Sequence, residues 1–237
     1  MFERPHHQRI AQVLLSLNAE LLRENRCYFG GGTAIALRCG EYRESVDIDF
    51  LISDIECFRN LRQLLTSSSG LATIVRNDAA PLTTVRDIRA DQYGIRTVLL
   101  MAEHKIKFEV VLEGRIDLEV STLADEICGV ATLTRADMAA SKLLANSDRW
   151  ADDSVFNRDL LDLAMLDLPL NILRRAVEKT EKAYGTSIRT DLARAIERFQ
   201  NRDGWLDRCM QVMSVTVPKA VVWQRVRALQ RFLSNSN

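Results

Sequence analysis

Three consecutive glycines, Gly30-Gly31-Gly32, constrain this chain more than any other stretch. Glycine loses the most backbone freedom on folding, so such a run survives where a Cβ would block a conformation or a close approach. The run follows a short apolar segment, Cys27-Tyr28-Phe29, and precedes Thr33-Ala34-Ile35-Ala36-Leu37. The latter reads as the first turns of a helix with Thr33 near its N-cap, ending near Cys39-Gly40. Strand, glycine turn and helix start together make an anion site, because unpaired N–H groups and the positive dipole end point the same way. Fifteen positions after Gly32 comes Asp47-Ile48-Asp49-Phe50-Leu51-Ile52, whose apolar and β-branched content suits a strand. Side chains alternate on a strand, so Asp47 and Asp49 share one face, about 7 Å apart. Two carboxylates so placed repel each other unless a cation joins them, and hard divalent cations favour oxygen ligands.

The flanking pattern predicts a sheet with helices around it, then helices alone. Residues 5–25 carry apolar positions at helical spacing (Ile10, Val13, Leu14, Leu17, Leu21, Leu22) and read as one amphipathic helix. Residues 55–66 read as a second helix, stopped by Ser67-Ser68-Ser69-Gly70. β-like runs follow at 72–76, 83–86, 95–101 and 106–112, with Ala102-Glu103-His104 short enough to close a hairpin between the last two. In the last run Ile106, Phe108, Val110 and Leu112 face one way, and Lys105, Lys107 and Glu109 the other. Thr134-Arg135-Ala136-Asp137 resembles a capping box and opens a helix that carries Lys142. A later helix holds Arg158-Asp159 and Asp162, the two acids on one face. Residues 171–185, 188–200 and 218–234 read as three more amphipathic helices.

Composition narrows the class. The 237 residues are 47% hydrophobic and 27% charged, ample for a globular core, and no run approaches the roughly 18 apolar residues of a membrane span. The first residues lack the pattern of a secretory signal. Five scattered cysteines without CxxC spacing point to reduced thiols in a cytoplasm and to no zinc site. His6-His7 reads as surface, since adjacent side chains on a helix do not converge. The net charge of zero divides unevenly: residues 1–170 hold 19 Lys/Arg and 26 Asp/Glu, and residues 171–237 hold 13 and 6. An acidic region that collects cations and a basic tail that meets phosphates fit one another.

The motifs in order resemble a known family. Gly30-Gly31-Gly32-Thr33-Ala34-Ile35-Ala36-Leu37, then Arg43-x-Ser45-x-Asp47-x-Asp49-Phe50, then Ser141-Lys142-Leu143, Arg149 and Arg158-Asp159-x-x-Asp162 are similar to the AbiEii family. That family comprises nucleotidyltransferase-like toxins of bacterial type IV toxin–antitoxin and phage-defence systems, within the polymerase-β-like nucleotidyltransferases. The resemblance implies an α/β (α+β) fold: a mixed sheet flanked by helices over residues 1–130, then a helical region, 131–237, completing the active site. It implies a nucleoside triphosphate donor, Mg²⁺ (or Mn²⁺), an RNA acceptor such as the 3′ end of a tRNA, a cognate antitoxin and no membrane.

By the same resemblance Asp47, Asp49, Lys142 and Asp159 are catalytic. Asp47 and Asp49 hold the metal with a third carboxylate from a neighbouring strand, Glu109 or else Glu113. Gly31, Gly32, Thr33, Arg43, Ser45, Lys142 and Arg158 bind the nucleotide, with Lys142 neutralising the triphosphate, Asp159 orienting Lys142 or the incoming acceptor, and Arg43 steadying carboxylates or phosphate. Two other readings share the fold: a catalytically idle nucleotide- or partner-binding protein, and a nucleotidyltransferase acting on a small molecule.

Overall fold

The computed structural model describes residues 2–234, which divide into two compact units. One holds the residues up to Glu41 with Ser45–Thr134; the other holds Tyr42–Glu44 and the residues from Arg135 on.

The first unit is built on a five-stranded mixed sheet of order β1-β2-β5-β4-β3. Its strands are β1 (Tyr28–Phe29), β2 (Ile48–Ile52), β3 (Thr83–Ala90), β4 (Gly94–Met101) and β5 (His104–Leu112). Only β2 and β5 run parallel. The β4–β5 hairpin closes through Ala102 and Glu103, both at positive φ (46° and 63°), the handedness that matches strand twist in a two-residue turn. At the β3–β4 turn Asp91 Oδ1 accepts the N–H groups of Tyr93 and Gly94. Alternation along β5 holds: Ile106, Phe108 and Val110 are buried, while Lys105 and Lys107 are exposed. Phe29, Phe50 and Phe108 stack across β1, β2 and β5 with ring centroids 5.7 and 5.6 Å apart, and they form the centre of this core.

Helices cover the apolar face. The single helix expected over 5–25 is two, α1 (Pro5–Ser16) and α2 (Ala19–Glu24). The break lies at Leu17, which is extended and pairs with Val75, and Asn18 then caps α2 through Leu21 N. After them come α3 (Gly31–Arg38) and α4 (Ile55–Thr66), the latter capped by Asp54 Oδ1 on the N–H groups of Glu56 and Cys57. The run expected to be a strand at 72–76 is instead a 3₁₀ turn, Gly70–Ile74, that buries Leu71 and Ile74. A small hairpin, β6 (Glu126–Ile127) and β7 (Val130–Ala131), precedes Leu133, whose N–H bonds to Phe29 O.

The second unit is helical: α5 (Arg135–Arg149), α6 (Arg158–Met165), α7 (Leu170–Tyr184), α8 (Ser187–Asn201), α9 (Trp205–Val212) and α10 (Lys219–Ser234). The short α9 is additional to the helices read from the sequence. Tyr42–Glu44 joins this unit through Glu44 N to Met213 O and Thr216 N to Tyr42 O. Lys179 on α7 pairs with the fully buried Asp137 of α5. Among the described residues, no helix is long and apolar enough to cross a membrane. No disulfide joins the five cysteines.

Candidate active site

In the first unit the glycine turn and the acidic strand meet. Gly30 is the N-cap of α3, so the helix begins at Gly31 and Thr33 lies in its first turn, not at the cap. The first-turn N–H groups have no helical carbonyl ahead of them. Gly31 has φ +66°, and a Cβ there would lie 2.3 Å from Asp49 Oδ2. Glycine is required on both counts, and the Asp49 carboxylate therefore abuts the start of α3. Gly30 is needed for packing, since its Cβ would fall 2.7 Å from Leu51 Cδ1.

Asp49 stands opposite Glu109 in the parallel β2–β5 register, so the two carboxylates share a face as lateral neighbours. Asp47 lies one residue before β2, with Asp49 two positions on, and both are half-buried. Glu109 contacts Lys107 Nζ at 3.1 Å and Arg96 Nε at 3.4 Å. Glu113 is buried and held by Arg115 Nε and Nη2 at 2.9 and 2.7 Å, beyond the end of β5. Of the two candidates for a third carboxylate, geometry thus favours Glu109.

A residue read as surface organises the loop between α3 and β2. His7 is fully buried. Its Nε2 accepts the Ser45 N–H at 3.2 Å, so Nδ1 carries the proton and donates to Glu41 Oε1 at 2.8 Å. Burial lowers the His7 pKa despite Glu41, which favours this neutral form. Ser45 Oγ in turn accepts from Thr33 Oγ1 at 2.8 Å. Glu41, His7, Ser45 and Thr33 thus form one chain that ends in the first turn of α3. The sequence signal was Ile10, Val13 and Leu14, since His7 lies on the same helical face.

The second unit gathers charge of another kind. Arg43 grips Asp162 with Nε–Oδ1 at 2.7 Å and Nη2–Oδ2 at 2.9 Å, and Tyr42 donates its hydroxyl to Oδ1. Lys142 Nζ lies 2.7 Å from Asp162 Oδ2 and 3.0 Å from Asp159 Oδ1. Arg149 forks onto Asp159 at 2.7 and 3.0 Å. Burial opposes ionisation of Asp162, but Arg43 and then Lys142 outweigh it and hold the carboxyl well below its usual range. Burial likewise opposes the Lys142 charge, and Asp162 and Asp159 more than offset it. Three cations meet these two carboxylates, the Asp148 carboxylate also acts on Arg149, and Arg149 keeps a third of its side chain at the surface.

Three residues expected at the nucleotide have these partners in the structure. Arg43 has Nε and Nη2 taken by Asp162 and Nη1 by Glu44 O. Lys142 is buried and doubly paired rather than presented as an open ammonium. Arg158 is exposed on α6, and Arg149 occupies the place by Asp159 expected of it. The residues before α6 explain this orientation: Phe156 and Asn157 both take left-handed φ (51° and 50°), and Trp205 Nε1 donates to Asn157 Oδ1 at 2.6 Å.

A glycine turn, a helix start against a strand carboxylate, and a mixed sheet flanked by helices make the first unit an α+β fold. Residues 12–231 match the model of the nucleotidyl transferase AbiEii toxin, type IV toxin–antitoxin system, and the chain belongs to this family of nucleotidyltransferases. Its fold is similar to that of JHP933 from Helicobacter pylori, at 13% identity and TM-score 0.54, over 99% of this chain and 94% of that one. A second structure from H. pylori, provisionally assigned as a nucleotidyltransferase, aligns at 15% identity and TM-score 0.49, over 98% and 96%. No curated protein matches the chain.

Proposed function

We propose that the protein transfers a nucleotide from a nucleoside triphosphate to an RNA acceptor, such as the 3′ end of a tRNA, with Mg²⁺ or Mn²⁺ held by Asp47, Asp49 and Glu109. The observation that carries this reading is the Asp49 carboxylate, set against the start of α3 on one side and beside Glu109 on the other.

The donor chemistry fits a hard cation, which takes one or two carboxylates and leaves its other positions to phosphate and water. No three His, Cys, Asp or Glu side chains are gathered closely enough to hold a metal unaided among the described residues. Asp47, Asp49 and Glu109 would accordingly hold the cation only together with oxygens of the bound triphosphate. When bound, the metal neutralises phosphate charge and lowers the acceptor hydroxyl's pKa. The chain's own residues do the rest. The Gly31, Gly32 and Thr33 N–H groups bind phosphate oxygens at the helix start. Ser45 holds the Thr33 side chain in position. Within the helical unit Lys142 and Asp159 are anchored charges that fix Arg149, whose guanidinium stays partly exposed. Stopping translation by blocking an RNA end is the toxic outcome, and a cognate antitoxin the expected counterpart.

Incubation of the protein with each α-labelled triphosphate, Mg²⁺ and total RNA is expected to label RNA with one triphosphate preferred. Asp49→Ala should reduce labelling at least a hundredfold, about 2.7 kcal/mol of barrier, with melting within about 0.5 kcal/mol of wild type. Labelling that survives in Asp49→Ala, or in excess chelator, would remove the site assignment.

A further inference from the structure

We infer that the face of the sheet beyond Glu109 is the docking surface for the phosphate backbone of the RNA acceptor; the inference rests on the RNA acceptor proposed above. The register carries it. Asp49 on β2 pairs with Glu109 on β5, Glu109 with Arg96 on β4, and Arg96 with Arg89 on β3. Directly paired residues point to the same side of a sheet, so acid, acid, arginine and arginine form one row. With strands about 4.8 Å apart, the row spans roughly 14 Å. The next two rows add Lys107, Val98 and Arg86, then Lys105, Leu100 and Thr83, with register shifts in β3 between Thr84 and Arg86 and between Arg86 and Arg89. Arg86, Arg89, Lys105 and Lys107 are exposed and Arg96 is half-exposed, while Val98 and Leu100 between them are half-buried.

Five cations thus spread over three strands from the carboxylates outward. The acids among them are accounted for: Glu109 meets Arg96 and Lys107, and Asp91 meets Arg96 from the hairpin end. Asp87 lines a hollow on the opposite side of β3 with Ile88, Leu65 and Leu71. Arg86, Arg89 and Lys105 are left facing solvent. An acceptor whose 3′ hydroxyl reaches Asp49 must lay the phosphates on its 5′ side somewhere, and cations on the same face give that path charge complementarity.

The basic tail is a poorer match than its composition suggests. Lys179 is spent on buried Asp137, Arg198 and Arg202 on Asp153, Lys219 on Asp207, Arg225 on Asp167 and Arg189 on Glu181.

The test compares the full-length protein with the triple variant Arg86→Glu, Arg89→Glu, Lys105→Glu, none of which touches Asp49 or Glu109. Anisotropy of a 5′-labelled single-stranded oligoribonucleotide is followed over about 50–200 mM salt. The triple variant should bind at least tenfold more weakly, and its log–log salt slope should flatten by about 2, near 0.7 for each lost phosphate contact. A matched variant on exposed helical positions, Arg174→Glu, Arg227→Glu, Arg231→Glu, should keep the wild-type slope. Melting curves establish that both variants fold. Single charge reversals at Arg86 and Arg89 provide the same reading, by about 0.7 each, should the triple variant fail to fold. An unchanged slope in the sheet variants, or flattening in the helical variant, overturns the inference. Labelling of RNA by the wild type in that case leaves the proposed reaction standing. Sheet-dependent RNA binding without any nucleotide transfer would support the docking face and remove the reaction.

Discussion

The two units each set two acids close together in sequence, Asp47-x-Asp49 and Asp159-x-x-Asp162, and treat them in opposite ways. In the sheet unit Asp47 and Asp49 stay half-buried, against a helix start and beside Glu109. In the helical unit Asp159 and Asp162 are almost wholly removed from solvent and surrounded by Arg43, Lys142 and Arg149. A carboxylate meant to take up a ligand must keep water or weak partners to exchange. One that fixes architecture is saturated, because an unpaired buried charge is too costly to keep. Paired acids in a motif therefore need not share one environment: Asp159 and Asp162 are saturated by cations within the helical unit, while Asp47 and Asp49 keep part of their surface exposed in the sheet unit.

The sharpest way to break this contrast is to remove acid and base from the cluster in turn. Asp162→Ala leaves three cations facing Asp159 alone, with Arg43 and Lys142 buried beside the gap. Breaking a buried pair in this way costs about 3–5 kcal/mol. Lys142→Met leaves Arg43 on Asp162 and Arg149 on Asp159, and it should cost clearly less. Denaturant unfolding checks the order. Equal losses, or a greater loss in Lys142→Met, would mean that an unpaired buried cation is not what the fold tolerates least.

The contrast also explains what could be read from sequence. The glycine turn, the alternation along β5 and the hairpin at Ala102-Glu103 follow local rules, and the structure reproduces them. The α+β class came from the family resemblance of the motifs taken together, and the five-stranded mixed sheet with helices agrees with it. The split of the first helix had no local signal, because Leu17 is drawn into a bridge with Val75, fifty-eight residues on. The 3₁₀ turn at Gly70–Ile74 deceived for a related reason: its β-branched content serves burial, not pairing. Site residues divide likewise. The placing of Asp47 and Asp49 on one face is a strand-parity inference, whereas Glu109 came from the resemblance and its place opposite Asp49 from the register. That Arg43 belongs with Asp162, 119 positions away, is a tertiary fact with no local trace. His7 was hidden by its neighbour, since a His-His pair looks solvated until one ring is seen to lie on the apolar stripe.

A smaller effect sharpens the sheet side of the comparison. Gly31→Ala must accept a left-handed backbone, which costs about 1–2 kcal/mol for a residue with a Cβ, and its methyl group meets Asp49 Oδ2 at 2.3 Å. The side chain most in its way is the one proposed to bind the metal. Nucleotide transfer should therefore fall by at least tenfold while stability falls only by that backbone cost. Gly40→Ala is the control: it shares the positive φ but has nothing within 4 Å of its Cβ, so it should lose stability without losing transfer. Equal activity in the two variants would mean that the helix start need not approach Asp49.

The smallest effect concerns how the sheet unit holds the loop before Asp47. His7 accepts from Ser45 N–H and donates to Glu41, a pattern open only to the neutral ring. Burial lowers its pKa, with Arg4 and His6 acting in the same direction and Glu41 in the other. The folded ring therefore stays neutral at pH values where the unfolded imidazole, with its ordinary value of 6.5, takes up a proton. Within that window the unfolded state binds more protons, so stability rises with pH toward about 6.5 and is lost as pH falls below it. Glu41, Asp159 and Asp162 are all lowered from values of 4.5 or less, so they do not titrate in the same range. A shift of one pK unit corresponds to about 1.4 kcal/mol, and 1 kcal/mol to roughly 2–4 °C in a chain of this size. On going from about pH 7.5 to about pH 5.5, the wild type should lose a few degrees of melting temperature more than His7→Gln, which keeps a donor and an acceptor but cannot titrate. Parallel pH curves for the two proteins would mean that the buried ring is a packing residue and that Ser45 and Thr33 are held by other means.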